Sequence, residues 1–296
     1  MRALDGLTIE IPDHEIFVLL GPNGAGKTTA IHILCSILRP TSGSVVVEGI
    51  DVGSNSQAVR EKLGIAFQEP VLDGRLTVEQ NLKFHADACG ISSEDASNRI
   101  EAVLRDLAIW ENRKQKASKL SGGMKKKVEN AKVFVQRPAI GIFDEPTAFL
   151  DVPSRHKVWE LIDTMIENKA SIVLATNLMD EAERLGNQVG ILSKGKLVAT
   201  GTPQGLKDSL PKGDVIEFQL CGDFEVVQRS IKGAIGDAEV VQVASSQKVR
   251  VYIDRAELKL PRVMEALIKA GCTIDSVHVK EPSLDDVFLH YTGGAL

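Results

Sequence analysis

The sequence lacks any apolar stretch able to cross a bilayer. Its longest uncharged apolar runs, such as Ile16-Phe17-Val18-Leu19-Leu20, have the length of a strand, where a spanning helix needs about 20 residues. No cationic leader followed by an apolar run opens the chain, so no secretion signal is expected. No C-x-x-C pair occurs. Cys35, Cys89, Cys221 and Cys272 are widely scattered, which argues against a zinc site or a disulfide framework and fits a reducing compartment. His14, His32, His85, His156 and His290 show no metal-ligand spacing. Basic charge is not in excess either: the net charge of -5 offers nucleic acid no bulk field. Internal repeats and low-complexity tracts are also missing. What remains, 296 residues that are 43% hydrophobic and 25% charged, is a globular chain of one large domain or of one medium and one small domain.

The first two-thirds alternate strand-like and helix-like segments. Residues 16–20 form a continuous apolar run that ends at glycine-rich punctuation, and a helical stretch runs from Thr28 to about Leu38. Residues 43–47, 63–67, 140–143 and 172–175 read as further short strands, and 91–110 as a polar, mostly helical region. Val158, Leu161, Ile162, Met165 and Ile166 recur at helical spacing. Buried strands alternating with helices imply an α/β fold, a parallel sheet covered on both faces. Glycine, proline and lysine cluster over 203–213, and a domain boundary is expected near Leu210. Beyond it the pattern is strand (215–220), helix, strand (239–243), strand (248–253), helix (256–270), strand (273–279). That order predicts a small α+β domain, a ferredoxin-like βαββαβ unit.

Gly21-Pro22-Asn23-Gly24-Ala25-Gly26-Lys27-Thr28 matches the phosphate-binding loop G-x-x-x-x-G-K-[ST], in the required place after an apolar strand and before a helix. Glycines let the backbone wrap phosphates closely with N–H groups pointing inward. The helix that follows adds its positive end. Lys27 is expected to reach the β- and γ-phosphates of ATP, and the Thr28 hydroxyl to bind Mg2+. Thr29 completes the candidate cradle. In Ile140-Gly141-Ile142-Phe143-Asp144-Glu145 an apolar strand ends in two carboxylates. Asp144 suits the magnesium shell, and Glu145 suits the orientation or deprotonation of an attacking water. Leu120-Ser121-Gly122-Gly123, about twenty residues before Asp144, opens a helix with a hydroxyl and small residues, a second anion site. One nucleotide has little use for two such sites, so its natural user is the nucleotide of a partner copy. The run Lys125-Lys126-Lys127 reads as the solvated face of that helix, and Trp110 and Trp159 read as packing residues.

In this order and spacing the motifs resemble those of the ATP-binding cassette (ABC) family, over the whole chain. The resemblance implies a cassette of residues 1–210 with a helical subdomain inserted at about 75–135, followed by an accessory domain of residues 211–296. It implies that Ser121, Gly122 and Gly123 contact ATP held by the opposite subunit of a head-to-tail dimer. Gln68 matches the Q-loop, which joins the magnesium site to a membrane partner; Leu150-Asp151 matches the D-loop, which links the two sites. Leu76-Thr77-Val78-Glu79-Gln80-Asn81-Leu82 resembles the segment near the membrane-facing groove. The ending Pro282-Ser283-Leu284-Asp285-Asp286-Val287-Phe288-Leu289, with Thr292-Gly293, resembles exporter ATPases of the daunorubicin-resistance kind. As a plain structural feature it is also an amphipathic helix packing on its own domain.

Three positions depart from the pattern. The family has a histidine at the γ-phosphate where this chain has Asn177. Asparagine can donate a hydrogen bond but cannot carry a proton or charge; losing such a donor altogether costs about 3–4 kcal/mol in the transition state. The family aromatic that stacks on adenine lies upstream of Met1-Arg2-Ala3-Leu4-Asp5, so adenine is expected to be held by other groups or by residues preceding Met1. Phe149 stands at a D-loop position that is usually small. The expected protein is a cytoplasmic, membrane-peripheral ATPase subunit that pairs with a second cassette and a separate integral-membrane permease, without nucleic acid, and drives an exporter of drug-like or hydrophobic compounds. The alternative is a degenerate, weakly hydrolysing regulatory subunit.

Overall fold

The computed structural model describes residues 2–210, 214–236, 238–243 and 248–292. Met1, Gly213 and Gly293, and so the corresponding ends of the domains and motifs named from the sequence, lie outside the described residues. The chain divides into two compact units, Met1–Leu197 and Val198–Leu296.

The first unit opens with β1 (Ile16–Leu20) and α1 (Lys27–Leu34), followed by β2 (Val46–Val47), β3 (Ile50–Asp51), α2 (Ser56–Arg60) and β4 (Leu63–Ala66). Then come α3 (Val78–Ala88), α4 (Ser93–Asp106), α5 (Gly122–Gln136), β5 (Ile140–Asp144), α6 (Val152–Glu167), β6 (Ser171–Thr176), α7 (Met179–Leu185) and β7 (Gln188–Ser193). Every residue of β1 is apolar and buried, a pattern that a central strand covered on both faces demands. It pairs in parallel with β6 and with β7. β5 extends the sheet from β6, and β4 extends it from β5, again in parallel. The six-stranded order is β4-β5-β6-β1-β7-β8, with β8 (Lys196–Gly201) at the edge. Ile31 of α1 packs with Phe17, Leu19, Ile142 and Val173 in one core cluster of this sheet.

The helical insertion consists of α3, α4 and α5, which pack on one another. Thr77 and Gln80 form a reciprocal capping box that starts α3. Ser92 caps α4, which buries Ala96, Ile100, Val103 and Leu104 along one stripe. Two short elements differ from expectation. The strand anticipated over 43–47 is reduced to Val46–Val47 and pairs only with Ile50–Asp51, in a separate hairpin. The helical stretch expected from Thr28 to about Leu38 ends at Leu34, whereas the region 91–110 is mostly helical as expected, with α4 at Ser93–Asp106 and a 3-10 turn beginning at Trp110.

The second unit contains α8 (Pro203–Asp208), β9 (Asp214–Cys221), α9 (Phe224–Ile235), β10 (Glu239–Gln242), β11 (Lys248–Ile253), α10 (Ala256–Lys269), β12 (Thr273–Lys280) and α11 (Leu284–Thr292). Its sheet runs β10-β11-β9-β12, antiparallel throughout. Ile216, Phe218 and Leu220 of β9 alternate onto one face and pack with Val227 and Ile231 of α9 and Val263 and Leu267 of α10. Two helices on one face of a β10-β11-β9-β12 sheet make the ferredoxin-like arrangement. The sequence puts the domain boundary near Leu210, whereas the compact units part at Leu197, because α8 packs on α11, and Tyr291 lies with its hydroxyl 3.1 Å from Ser209 Oγ.

The opposite face of the small sheet is charged. Glu217 takes Arg250 at 2.9 Å and Lys248 at 3.2 Å. Asp286 of α11 is fully buried against this face, 2.9 Å from Arg250 Nη1 and 3.3 Å from Lys280 Nζ. It also accepts from the Ser283 N–H and hydroxyl at 2.8 and 2.6 Å. The terminal helix is therefore held by one carboxylate with cationic and neutral donors around it. Removing one member of a buried pair leaves the others uncompensated. Asp286→Ala is expected to destabilise the second unit by about 3–5 kcal/mol, read as faster amide exchange across β9–β12 and a lower denaturant midpoint for that unit.

Candidate functional site

Four neighbouring parallel strands finish at one edge of the large sheet. Leu20 is opposite Thr176, and Asp144 is opposite Ala175. Each strand is followed at once by a candidate residue: Gly21 after β1, Gln68 two residues beyond β4, Asp144 and Glu145 at the end of β5, and Asn177 after β6. Parallel topology thus gathers segments far apart in sequence along the carboxyl edge, the usual ligand crevice of such sheets.

The loop Gly21–Gly26 folds into the N-terminus of α1, which carries no side-chain cap. The first N–H groups of a helix have no partner within it, so those of α1 remain available to an anion. Gly26 adopts φ 111° and its α-carbon faces Leu4 and the Ala3 carbonyl, where an added Cβ would come within 2.7 and 2.8 Å; only glycine fits both demands. The side chain of Lys27 bends back over the loop and donates to the Gly21 and Pro22 carbonyls at 2.8 and 3.2 Å. Its ammonium is 3.7 Å from Glu145 Oε1. Burial pushes the Lys27 pKa down, and the charges of Glu145 and Asp144 hold it up in part. Thr28 and Thr29 lie in the first turn of α1.

Asp144 is 1% exposed. Burial raises its pKa, a hydrogen bond with Thr28 lowers it, and the neighbouring Glu145 charge raises it further. Its Oδ1 is buried without a hydrogen-bond partner, which is what an oxygen reserved for a cation looks like beside a threonine hydroxyl. Glu145 sits in the left-handed region at φ 50°, pinned by its N–H to the Ala175 carbonyl at 2.8 Å. Such backbone costs about 1–2 kcal/mol for a residue with a Cβ. Gln68 Nε2 donates to Glu145 Oε2 at 3.2 Å, and Asn177 Nδ2 is 3.5 Å from Asn23 Oδ1 on the rim of the phosphate loop. Lys27, Thr28, Gln68, Asp144 and Glu145 are therefore gathered in one place, with Asn177 beside Asn23 of the phosphate loop.

Ser121, Gly122 and Gly123 are not brought into it. They form the N-terminus of α5, where the Ser121 hydroxyl accepts the Met124 N–H at 3.3 Å. Among the described residues no hydrogen bond or ion pair joins them to residues 21–29. They adjoin the segment 147–151 instead: a Cβ on Gly123 would meet the Phe149 carbonyl at 2.8 Å. Phe149 itself has φ 65° and is 84% exposed.

Several buried polar residues near the site escape sequence reading. Lys126 is 1% exposed and donates to the backbone carbonyls of Asp144, Phe67 and Gln68, so the solvated face expected for 125–127 is wrong at its central residue. The helix turns that position inward, while Lys127 reaches the Leu107 carbonyl at 3.0 Å. Glu129 is buried completely and accepts from the Phe67 and Val71 N–H groups. Glu181, also buried, accepts from Thr147 and from Trp159 Nε1 at 2.8 and 3.0 Å, which joins β5's following loop, α6 and α7. Burial raises the Glu181 pKa, and hydrogen bonds from Thr176, Trp159 and Thr147 oppose the rise. The only sequence signal for any of these is helical phase relative to apolar neighbours, which a lysine run masks.

A phosphate loop at β1, a carboxylate pair at β5 and an inserted helical unit define a nucleotide-hydrolysing cassette. The family model described as ABC transporter matches residues 4–148, and that described as ATP-binding protein DrrA1-3-like, C-terminal domain, matches 201–292. The chain is similar to daunorubicin resistance ATP-binding protein DrrA2 of Streptomyces coeruleorubidus, at 32% identity over 99% of this chain and 91% of that protein. It is 34% identical over 95% of its length to the retinal-specific phospholipid-transporting ATPase ABCA4 of Homo sapiens, of which it spans 12%. A dimeric post-hydrolysis ATP-binding cassette bound to ADP and Pi aligns with TM-score 0.64 and 25% identity, over 68% of this chain and 90% of that one. The chain belongs to the ABC transporter ATP-binding subunits, of the drug-resistance exporter type, and is an ATPase of that family.

Lys27→Ala is expected to lower ATP affinity by about 10- to 100-fold, the range for losing charge-assisted hydrogen bonds. Equilibrium binding of a fluorescent ATP analogue checks this, and unchanged affinity would move the nucleotide away from the loop at Gly21–Thr28.

Proposed function

We propose that this chain binds ATP with Mg2+ in the space bounded by Lys27, Asp144, Glu145 and Gln68, and that its hydrolysis powers a separate integral-membrane permease. The convergence of these four side chains on the carboxyl edge of one parallel sheet carries the reading. The backbone N–H groups of 21–29 cradle the phosphates, and Lys27, already held over the loop by two carbonyls, exchanges them for β- and γ-phosphate oxygens. Thr28, Asp144 and Gln68 would hold Mg2+; the partnerless Asp144 Oδ1 supports this assignment. When bound, the ion neutralises charge on the β- and γ-phosphates. Glu145 orients or deprotonates the attacking water, and Gln68 holds the Glu145 carboxylate in line. The amide of Asn177 donates to the γ-phosphate as charge develops there.

The second half of each site comes from another cassette, either a second copy or a related subunit. Ser121, Gly122 and Gly123 open α5 away from their own phosphate loop, so the nucleotide they cover is the partner's. The dimeric form of a similar cassette supports pairing. The permease works through the Gln68 segment, and the chain acts peripherally at the cytoplasmic face of the membrane. No helix among the described residues is long and apolar enough to cross a membrane. Drug-like or other hydrophobic compounds are the proposed cargo; the similar proteins are named for daunorubicin resistance and phospholipid transport. The accessory domain is proposed to begin before α8, which packs on α11, rather than at residue 211.

With ATP and magnesium, Glu145→Gln is expected to run as a dimer in size exclusion, and Ser121→Arg added to it to restore the monomer. A monomer in the first case, with neither a second copy nor a related cassette captured, would count against shared sites.

Asn177 supports the second reading, a weakly hydrolysing regulatory subunit. A donor that matters only as the γ-phosphate leaves changes turnover more than ground-state binding. Asn177→His is expected to raise kcat about tenfold or more, with ATP affinity nearly unchanged, because an imidazole can also carry positive charge. Steady-state rates for the parent, Asn177→His and Asn177→Ala decide it. Equal rates would remove Asn177 from the reacting phosphate; an inactive parent that histidine restores would favour the regulatory reading.

A further inference from the structure

Helix α5 carries a stripe of polar side chains on a buried face. Lys126, Glu129 and Lys132 recur at three-residue spacing, so they share one side of the helix. All three bond to the segment 67–71, which holds Gln68. Lys126 Nζ donates to the Phe67 carbonyl at 2.9 Å, the Gln68 carbonyl at 3.3 Å and the Asp144 carbonyl at 2.7 Å, which uses all three ammonium hydrogens. Glu129 Oε1 accepts from the Phe67 N–H at 3.2 Å, and Oε2 accepts from the Val71 N–H at 2.9 Å. Lys132 Nζ sits 2.8 Å from Glu129 and donates to the Val71 carbonyl at 3.3 Å.

Two features make this more than helix packing. First, every one of these bonds to the segment 67–71 and to Asp144 is made to backbone. The Gln68 side chain is left free to reach Glu145, and the Asp144 carboxylate is left free to keep an open oxygen. Second, the stripe is expensive. A buried ion loses several kcal/mol of hydration that its partners must return, and a well-packed apolar stripe would often hold α5 at least as firmly. Stability therefore does not account for the charges; what they add is a fixed position for the 67–71 backbone against the end of β5.

We propose that Lys126 and Glu129 are positioning residues for hydrolysis: they hold Gln68 and Asp144 at a set separation by clamping their main chain to α5. The proposal rests on the ATPase reading given above and extends it to two residues outside the nucleotide motifs. Because the same helix begins at Ser121, the clamp also fixes the residues facing a partner's nucleotide relative to the chain's own magnesium-binding groups.

The test uses the full chain with Lys126→Met, Lys126→Arg and Glu129→Gln. Glu129→Gln keeps shape and weakens acceptance; Lys126→Arg keeps charge and donors. Without nucleotide or magnesium, amide exchange at Phe67 and Val71 is expected to speed about tenfold or more in Glu129→Gln, while the strands of the large sheet exchange as in the parent. ATP binding in EDTA, which reports the phosphate loop alone, is expected to stay within about twofold of the parent in all three. In Lys126→Met, kcat is expected to fall about 10- to 100-fold and the magnesium concentration for half-maximal rate to rise, with Lys126→Arg restoring most of both. Unchanged exchange at Phe67 and Val71 in Glu129→Gln would overturn the clamp. So would a fall in kcat matched by an equal loss of EDTA-state ATP binding, which is what general loosening produces. An inactive parent would instead sink the ATPase reading, and the exchange measurement would still decide the clamp.

Discussion

A parallel sheet buried on both faces leaves only its ends for chemistry, and at the carboxyl ends every strand must hand its chain to a loop. In this cassette four adjacent strands stop in register, so four loops meet where backbone N–H groups, two carboxylates and a lysine can act on one ligand. The alternation of apolar strands with covering helices is thus the condition for the site as well as for the core. Shift β5 by one residue against β6 and Asp144 would turn from the edge toward a helix-covered face, because side-chain direction reverses at each step along a strand.

Such a site is held at a cost that is spread over its surroundings. Lys27, Asp144, Lys126, Glu129 and Glu181 are all buried ionisable groups, and Glu145 and Phe149 occupy left-handed backbone that disfavours any residue with a Cβ. Burial pushes the Lys126 pKa down to about 8, even with Asp144, Glu129, Glu145 and Glu181 opposing the shift. These groups are tolerable because their hydrogen bonds go largely to backbone atoms fixed by the sheet and by α5, so little freedom is lost when they form. Most of the buried charge lies around this sheet edge, with Asp286 of the second unit the exception, a distribution expected when function sets the local demand and the core supplies the stability.

How much of this can be read from sequence depends on whether a feature is local. The phosphate loop is contiguous, and β1's unbroken apolar run announces a central strand, so fold class and the neighbourhood of Lys27 are legible from residues 16–28 alone. The small domain is legible for the same reason: 216, 218 and 220 alternate, and turn residues separate the elements. The signal fails where meaning lies in a partner distant along the chain. Lys126 belongs to a lysine run that reads as solvated, and only the packing of α5 against the end of β4 turns it inward. Glu129 carries no local motif, since its partners, the N–H groups of Phe67 and Val71, are 62 and 58 residues away. Residues 43–47 have strand character, yet only Val46–Val47 form a strand, and it pairs with Ile50–Asp51 in a short hairpin outside the six-stranded sheet. At the boundary, the proline, glycine and lysine cluster begins with Pro203 at the start of α8 and so overlaps a helix that packs with the terminal helix.

The segment 147–151 shows how two motifs become one surface. Gly123 has room for no side chain because the Phe149 carbonyl occupies the place of its Cβ, so the start of α5 and this segment lie in direct backbone contact. Thr147 is fastened from behind by Glu181, which also receives Trp159, and Asp151 caps α6 through the Ser154 N–H. Asn130 of α5 reaches the Pro146 carbonyl at 2.7 Å, which adds a second tie between the same two elements. A segment fixed at Pro146, Thr147 and Asp151 and backed by Gly123 has little room to relax, and that is how Phe149 can stay in left-handed backbone with its ring in solvent. Neither feature is favourable alone: the backbone costs about 1–2 kcal/mol, and an exposed aromatic ring gains nothing from burial. Both follow from anchoring on either side, so the shape of this loop is set by Glu181, Asn130 and Gly123 rather than by the preference of the residue at its tip.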